Sequence, residues 1–481
     1  MKNVKSTKYA LLSGIAAIVL CVAMLIGTTF AWFTDSASTA VNKIQAGTFD
    51  VALEMKVGDT WVNAEGTTLG WVAADGRAQD NLFWEPGCTY NLNQFRIVNN
   101  GNLALKYKVA ISGFVGDSPL FEVIDFTVSG VSGVTTVNAL NGFEGELAAA
   151  SATDAITISG HMRDSAGNEY QGLSINGIVI TVVAKQAAGY EYDSNNNTYD
   201  ENAEYPVMVS DVAGFENALT QGNSNIVLTN DVTVTNGVQM SVTNDTAINF
   251  NGNTLKGAVE SGSISSSDGP TNLVLSDPNN SGEYSIDGEL VQHTGGGYTQ
   301  LSAITVWKPT VTIESGKYTH DNAVILCQLQ TQDTDAVGVV INGGTFDGKG
   351  AASVIANIFG NVIVNNGEFN AHYDGDSSGE CVYVSSGSIV PSITTINGGT
   401  FNADKRIFYV RVDTSYTQKI VVNGGTFNVA EGGSLIQVSS GNASDYLTIT
   451  GGTFNVDPSA YVDTANYDVT QSGSTWSVTA K

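Results

Sequence analysis

The feature that most constrains this chain is a short segment that keeps returning in its C-terminal half. Ile341-Asn342-Gly343-Gly344-Thr345-Phe346-Asp347 recurs closely over residues 396–402, 422–428 and 449–455, and more loosely over 364–370 and 313–319. The aromatic position runs Tyr318, Phe346, Phe369, Phe401, Phe427 and Phe454, at spacings of 28, 23, 32, 26 and 27 residues. An aliphatic residue stands five before each aromatic. Another stands seven before, except ahead of Phe401, where Thr394 takes its place. Self-similarity at this period means a solenoid, because one unit cannot bury its own apolar face and must stack on the next.

Each copy reads as strand, Asn-Gly-Gly turn, strand. Asn342, Asn397 and Asn423, with the glycines that follow them, tolerate the left-handed backbone of a sharp corner. Equivalent residues then lie coil on coil, aromatic on aromatic and aliphatic on aliphatic. A leucine-rich horseshoe would need leucines that are missing, so the spacing predicts a right-handed parallel β-helix over residues 210–481. Roughly nine coils at ~4.8 Å each make a rod of about 40 Å. A single helix is expected ahead of the coils, with Val212, Phe215 and Leu219 as its apolar stripe, Ser210 as its cap and Gly222 as its stop. Such a helix would close the open end of the first coil.

Residues 190–209 form an acidic, polar linker. Asp193, Asn195 and Asn197 have the every-second-residue spacing of a calcium loop, but the central Gly and the later bidentate Glu are not in place. Residues 32–189 carry short alternating segments and no long amphipathic helix. Leu103, Leu105, Tyr107, Val109 and Ile111 alternate with smaller or charged residues, which is the pattern of a half-buried strand. Further strands are expected over 47–53, 121–128, 155–161 and 178–185. Asn99-Asn100-Gly101-Asn102 reads as a hairpin turn after a strand holding Phe95 and Ile97. An antiparallel β-sandwich follows, and the whole chain is all-β.

The first 31 residues are a leader: Lys2, Lys5 and Lys8, an apolar run from Tyr9 to Ile26, then small residues. Thr29 and Ala31 supply the small side chains of a signal-peptidase site, with the cut before Trp32. The alternative is a retained anchor, since the apolar run nearly reaches the roughly 20 residues that span a bilayer. The chain has 20 basic and 47 acidic residues; removing three lysines and no acids with the leader moves the net charge from −27 to −30. Such a surface repels nucleic acid and anionic lipid. Only Cys88, Cys327 and Cys381 follow the leader, too few and too odd for a disulfide framework. Cys327 and Cys381 read either as neighbours or as buried free thiols.

The order Gly27-Thr28-Thr29-Phe30-Ala31-Trp32-Phe33-Thr34-Asp35, then residues 44–51, Glu85-Pro86-Gly87, and Phe95 through Ala104, resembles the TasA and camelysin family of exported matrix proteins. The resemblance covers about residues 20–190. It implies removal of the leader at Ala31 by a SipW-type signal peptidase, a jelly-roll-like sandwich, and a place at the surface or in the matrix of a Gram-positive-type bacterium. It also implies polymerisation in which the mature N-terminal segment of one subunit adds as a strand to the next. Trp32, Phe33, Val41 and Ile44 space apolar residues along a segment with no hairpin partner immediately after it, which suits a donated strand. Pairing within its own sandwich is the equal alternative.

Camelysin carries a metallopeptidase label, but His161, His293, His320 and His372 are scattered and no His-Glu-x-x-His segment occurs. A polysaccharide lyase or hydrolase would need clustered acids. Asp374, Asp376, Glu380, Asp404 and Asp413 are available, each read as a solvated carboxylate in a polar loop, and Arg406 and Arg411 are the arginines beyond residue 206. Asp374 and Asp376 are weak calcium candidates; no other cofactor is expected. The reading is therefore a non-enzymatic surface or biofilm-matrix protein that self-associates into fibres or joins other matrix subunits and displays its β-helix. A glycan-binding adhesin is the alternative, and a polysaccharide enzyme a more distant one.

Overall fold

The computed structural model describes residues 50–481 except 66, 68, 74–83, 113–117, 176–178, 188–203, 222–224, 234–238, 243, 262–271, 279–280, 286–290, 293–297, 300–301, 309, 321–322, 330, 349–352, 374–378, 386–389 and 414–415. The leader, the cleavage residues Thr29, Ala31 and Trp32, the segment with Phe33, Val41 and Ile44, most of the linker, and Asp374 and Asp376 lie outside the described residues.

Among the described residues, ten strands make the N-terminal part: β1 (Val51–Val57), β2 (Thr60–Asn63), β3 (Trp71–Ala73), β4 (Thr89–Leu92), β5 (Phe95–Asn99), β6 (Leu105–Ser112), β7 (Ile124–Ser129), β8 (Glu144–Leu147), β9 (Thr157–Met162) and β10 (Val179–Gln186). They pair antiparallel in three sheets, β2-β1-β5, β10-β6-β8 and β3-β4-β9-β7. In β6 the odd residues Leu105, Tyr107, Val109 and Ile111 are buried, while the even ones stay half-exposed, as a one-sided strand requires. These residues join Phe95, Ile97, Leu140 and Ile158 in one core between the sheets.

The Asn99–Asn102 stretch turns, but it does not close a hairpin. β5 pairs with β1, whereas β6 pairs with β8 and β10, so the chain crosses here from one sheet to another. Asn99 is fully buried at the crossing. Its amide donates to the carbonyls of Leu103 (2.8 Å) and Ala148 (3.0 Å), and its Oδ1 accepts from Gly101 N at 3.0 Å. An asparagine that supplies the missing ladder partners of a corner looks, in sequence, like one that makes a tight turn.

The C-terminal half is a parallel β-helix with three faces. Face one runs from Asn225–Leu228 through Val337–Ile341 and Ser392–Ile396 to Leu447–Ile449, each strand parallel to the next. After each Asn-Gly-Gly corner comes face two, with strands such as Thr345–Gly348, Glu368–Ala371, Thr400–Ala403, Thr426–Val429 and Gly452–Phe454. Face three holds Ile325–Gln328, Glu380–Ser385, Arg406–Arg411 and Ser434–Val438. One ten-residue strand, Ile355–Val364, serves both face three and face one, turning the corner at Gly360 with φ near 99°.

Both ends are closed. At the start, the helix Val212–Thr220 buries Phe215, Ala218 and Leu219 in the same core as Ile226 and Leu228. Its cap is Asp211, not Ser210: Asp211 Oδ1 accepts from Gly214 N at 2.8 Å. Asp211 takes the role because it alone sits three residues before that free N–H. At the far end, a hairpin of Tyr467–Ser472 and Thr475–Ala480 lays its second strand antiparallel on Gly452–Phe454, with Val478 buried in the core.

Candidate functional site

The recurring corner divides its work among three residues. The second glycine supplies the left-handed backbone: φ is 102° at Gly344, 98° at Gly399, 110° at Gly425 and 115° at Gly452. The first lies against the coil before it, where a Cβ at Gly343, Gly398 or Gly424 would meet a carbonyl oxygen at 2.5–2.6 Å. Asn342, Asn397 and Asn423 are not left-handed, contrary to the expectation. They form a ladder along the rod: Asn342 Nδ2 donates to Glu314 Oε1 (3.0 Å), Asn365 to Asn342 Oδ1 (2.8 Å), Asn397 to Asn365 (2.9 Å) and Asn423 to Asn397 (2.9 Å). Thr450, which stands in the fourth copy's Asn position, donates to Asn423 Oδ1 at 2.8 Å and ends the run.

Behind the corner the aromatic residues stack inside the rod. Tyr318, Phe346, Phe369, Phe401, Phe427 and Phe454 lie in near-parallel succession with ring centroids 4.6–5.0 Å apart. Sequence reading missed two members. Tyr284 pairs with Tyr318 and is fully buried, and Phe250 lies 6.0 Å from Tyr284. Neither is preceded by Asn-Gly-Gly, so the aromatic spacing was the signal that could have found them. Thr394, the break in the aliphatic rank, is buried and accepts from Asn357 Nδ2 at 3.2 Å. The exception serves a buried amide.

The acids near residue 380 divide in two. Glu380 is not in a loop; it opens a face-three strand and is fully buried. Its Oε2 accepts from Arg406 Nη2 (3.0 Å) and Nε (3.2 Å), its Oε1 from Ser353 Oγ (2.6 Å), and Arg406 Nη1 reaches Gln437 Oε1 at 2.8 Å. Burial pushes the Glu380 carboxyl up from its ordinary value, against the opposing pull of Ser353 and Arg406. The polar residues just ahead of Glu380 masked the start of its strand. Asp404 is exposed at the corner of faces two and three, where its Oδ2 lies 3.6 Å from His372 Nδ1. On the other side His372 Nε2 lies 3.1 Å from Asp347 Oδ1. His372 thus links three successive coils. Neither group offers an acid and a base free to flank a glycosidic bond.

Cys327 and Cys381 are buried free thiols, and Cys88 is a half-buried one. Burial pushes the Cys327 thiol up to about 12. Among the described residues no group of three His, Cys, Asp or Glu side chains is placed to hold a metal ion. His161 instead meets Thr89 Oγ1 at 2.9 Å.

Residues 6–63 match the family described as Camelysin metallo-endopeptidase. The match ends at the last residue of β2. No curated protein and no solved structure matches the chain. The camelysin-type region therefore ends before the β-helix begins, and the described part of it, β1 and β2, carries no histidine or cysteine. The metal that the family's description implies finds no fitting donor set among the described residues.

Proposed function

We propose that this protein is an exported, non-enzymatic matrix subunit whose N-terminal half assembles or anchors it and whose β-helix is displayed as a stiff spacer. The camelysin-type match across the leader and the first two strands carries this reading. A signal peptidase, of the SipW type by the resemblance, cuts between Ala31 and Trp32. The freed segment through Val41 and Ile44 then pairs with the edge of a neighbouring sandwich. The β-helix supports assembly elsewhere than at its own ends, because a helix closes one end and an antiparallel hairpin the other. Electron microscopy of protein beginning at Trp32 tests the proposal. Filaments are expected, and deleting residues 32–46 should abolish them. Monodisperse particles from the intact form would overturn it.

A further inference from the structure

Along the outside of face one runs a rank of side chains without a single charge. It passes through eight successive coils, from Ala247 to Thr448, and direct strand pairing sets each member beside the last. Val274, Val340, Ile363 and Val421 belong to it, and every member keeps part of its side chain in solvent. A continuous outward row of this kind, on a chain of net charge −27, marks a contact surface. We infer that this face is the contact between two copies of the rod, packed antiparallel about a two-fold axis that runs along the strand of Val340. The inference goes beyond the donated strand of the preceding section, because it uses no residue of the sandwich.

The charges that flank the rank select the occupant. Two residues before Ala247 stands Asp245, which is exposed, and two before Val421 stands Lys419, which is half-exposed. Among the described residues neither has an ion-pair partner in its own chain. The strand of Ala247 lies three coils before that of Val340, and the strand of Val421 three coils after it. A two-fold axis at Val340 therefore sets Asp245 of each copy against Lys419 of the other, twice in one interface. On the opposite flank, two residues after the rank, the one charge is Glu314, which accepts from Asn342 Nδ2 at 3.0 Å. The same axis faces it with Asn365. Like charges meet nowhere along the face. A parallel pair would set Lys419 against Asn423 and leave both charges unanswered. Exposed ion pairs add little affinity, but they choose orientation and register.

The size of the face fits this occupant. Seven overlapping coils at ~4.8 Å, by three outward positions spanning about 15 Å, cover roughly 500 Å² per copy and about 1,000 Å² in all, which reaches the size of a specific interface. β-branched side chains on a paired strand lose little further freedom on contact. Face two offers no equivalent, since one of its outward ranks carries Glu283, Lys317 and Glu368. The terminal hairpin pairs with face two, not face one. With both ends of the rod closed, a flank is what remains for contact between rods.

The test is oxidative cross-linking of the secreted full chain carrying single introduced cysteines, with the unaltered chain as background for the half-buried Cys88. Val340→Cys lies on the axis and faces its own copy. It should give a disulfide-linked pair in at least tenfold higher yield than Val274→Cys, whose two copies stand roughly 19 Å apart. Mixing Val274→Cys with Thr395→Cys should restore the linked pair, because these two coils face each other. Lys419→Asp sets acid against acid twice and should lower the Val340→Cys yield at least tenfold; adding Asp245→Lys should return it. Thermal melts confirm that the variants fold. Equal yields from Val340→Cys and Val274→Cys, or a yield unmoved by Lys419→Asp, overturn the inference. So does the absence of any linked pair, whether the face is bare or covered by a lipid or a glycan. Electron microscopy of the same samples scores filaments, so that the pairing of rods and the donated strand are read separately.

Discussion

Arg406 is the cation that hydrogen-bonds Glu380 inside the rod, and Ser353 and Gln437 complete the network. Removing one partner strands a buried charge, which costs about 3–5 kcal/mol, whereas replacing both by apolar residues of similar volume is close to neutral. Arg406→Met should therefore lower the urea midpoint sharply, and Glu380→Leu with Arg406→Met should recover most of the loss. The same carboxyl makes stability depend on pH. Its value is raised in the folded state, so the native chain binds more protons than the unfolded one above the ordinary 4.5. Stability from this group is fully present below that pH and is lost as pH rises through the folded value. Thermal melts of the parent should show this decline, and Glu380→Gln should remove it.

At the scale of elements, the terminal hairpin deserves the next test. Its second strand occupies the edge that Gly452–Phe454 would otherwise present, and Trp476 packs against the core there. Deleting residues 465–481 uncovers a flat parallel edge, a ready template for other chains. In protein lacking residues 32–46, the apparent mass from light scattering should rise with concentration once residues 465–481 are also deleted, and should stay constant when they are kept. Faces one and two were legible in sequence because they flank a corner with a left-handed glycine in each of the six copies, three of them Asn-Gly-Gly. Face three was not: Glu380–Ser385, Arg406–Arg411 and Ser434–Val438 share inward aliphatics but no fixed motif, and loops of varying length separate them. The role of the corner asparagines also stayed hidden. A residue that favours turns and one that bridges coils are spelled alike, and only register shows that Asn397 lies between Asn365 and Asn423. Glu380 was misread for a related reason, since its partner Arg406 stands a full coil away.

At the scale of the molecule, the exported role proposed above would keep this capped rod in use for long periods. Time brings its own chemistry. Asn342, Asn397 and Asn423 are each followed by glycine, the neighbour whose amide most easily attacks an asparagine side chain and converts it to aspartate. Within the rod that attack is hindered, because each side-chain amide is held by hydrogen bonds along the ladder. One conversion would remove a donor and set a carboxylate beside the next oxygen, loosening the adjacent asparagine in turn. The ladder would then age as a row, coil after coil. Mass spectrometry of long-incubated protein should find these positions intact while the rod is folded, and converted together in molecules where one has gone.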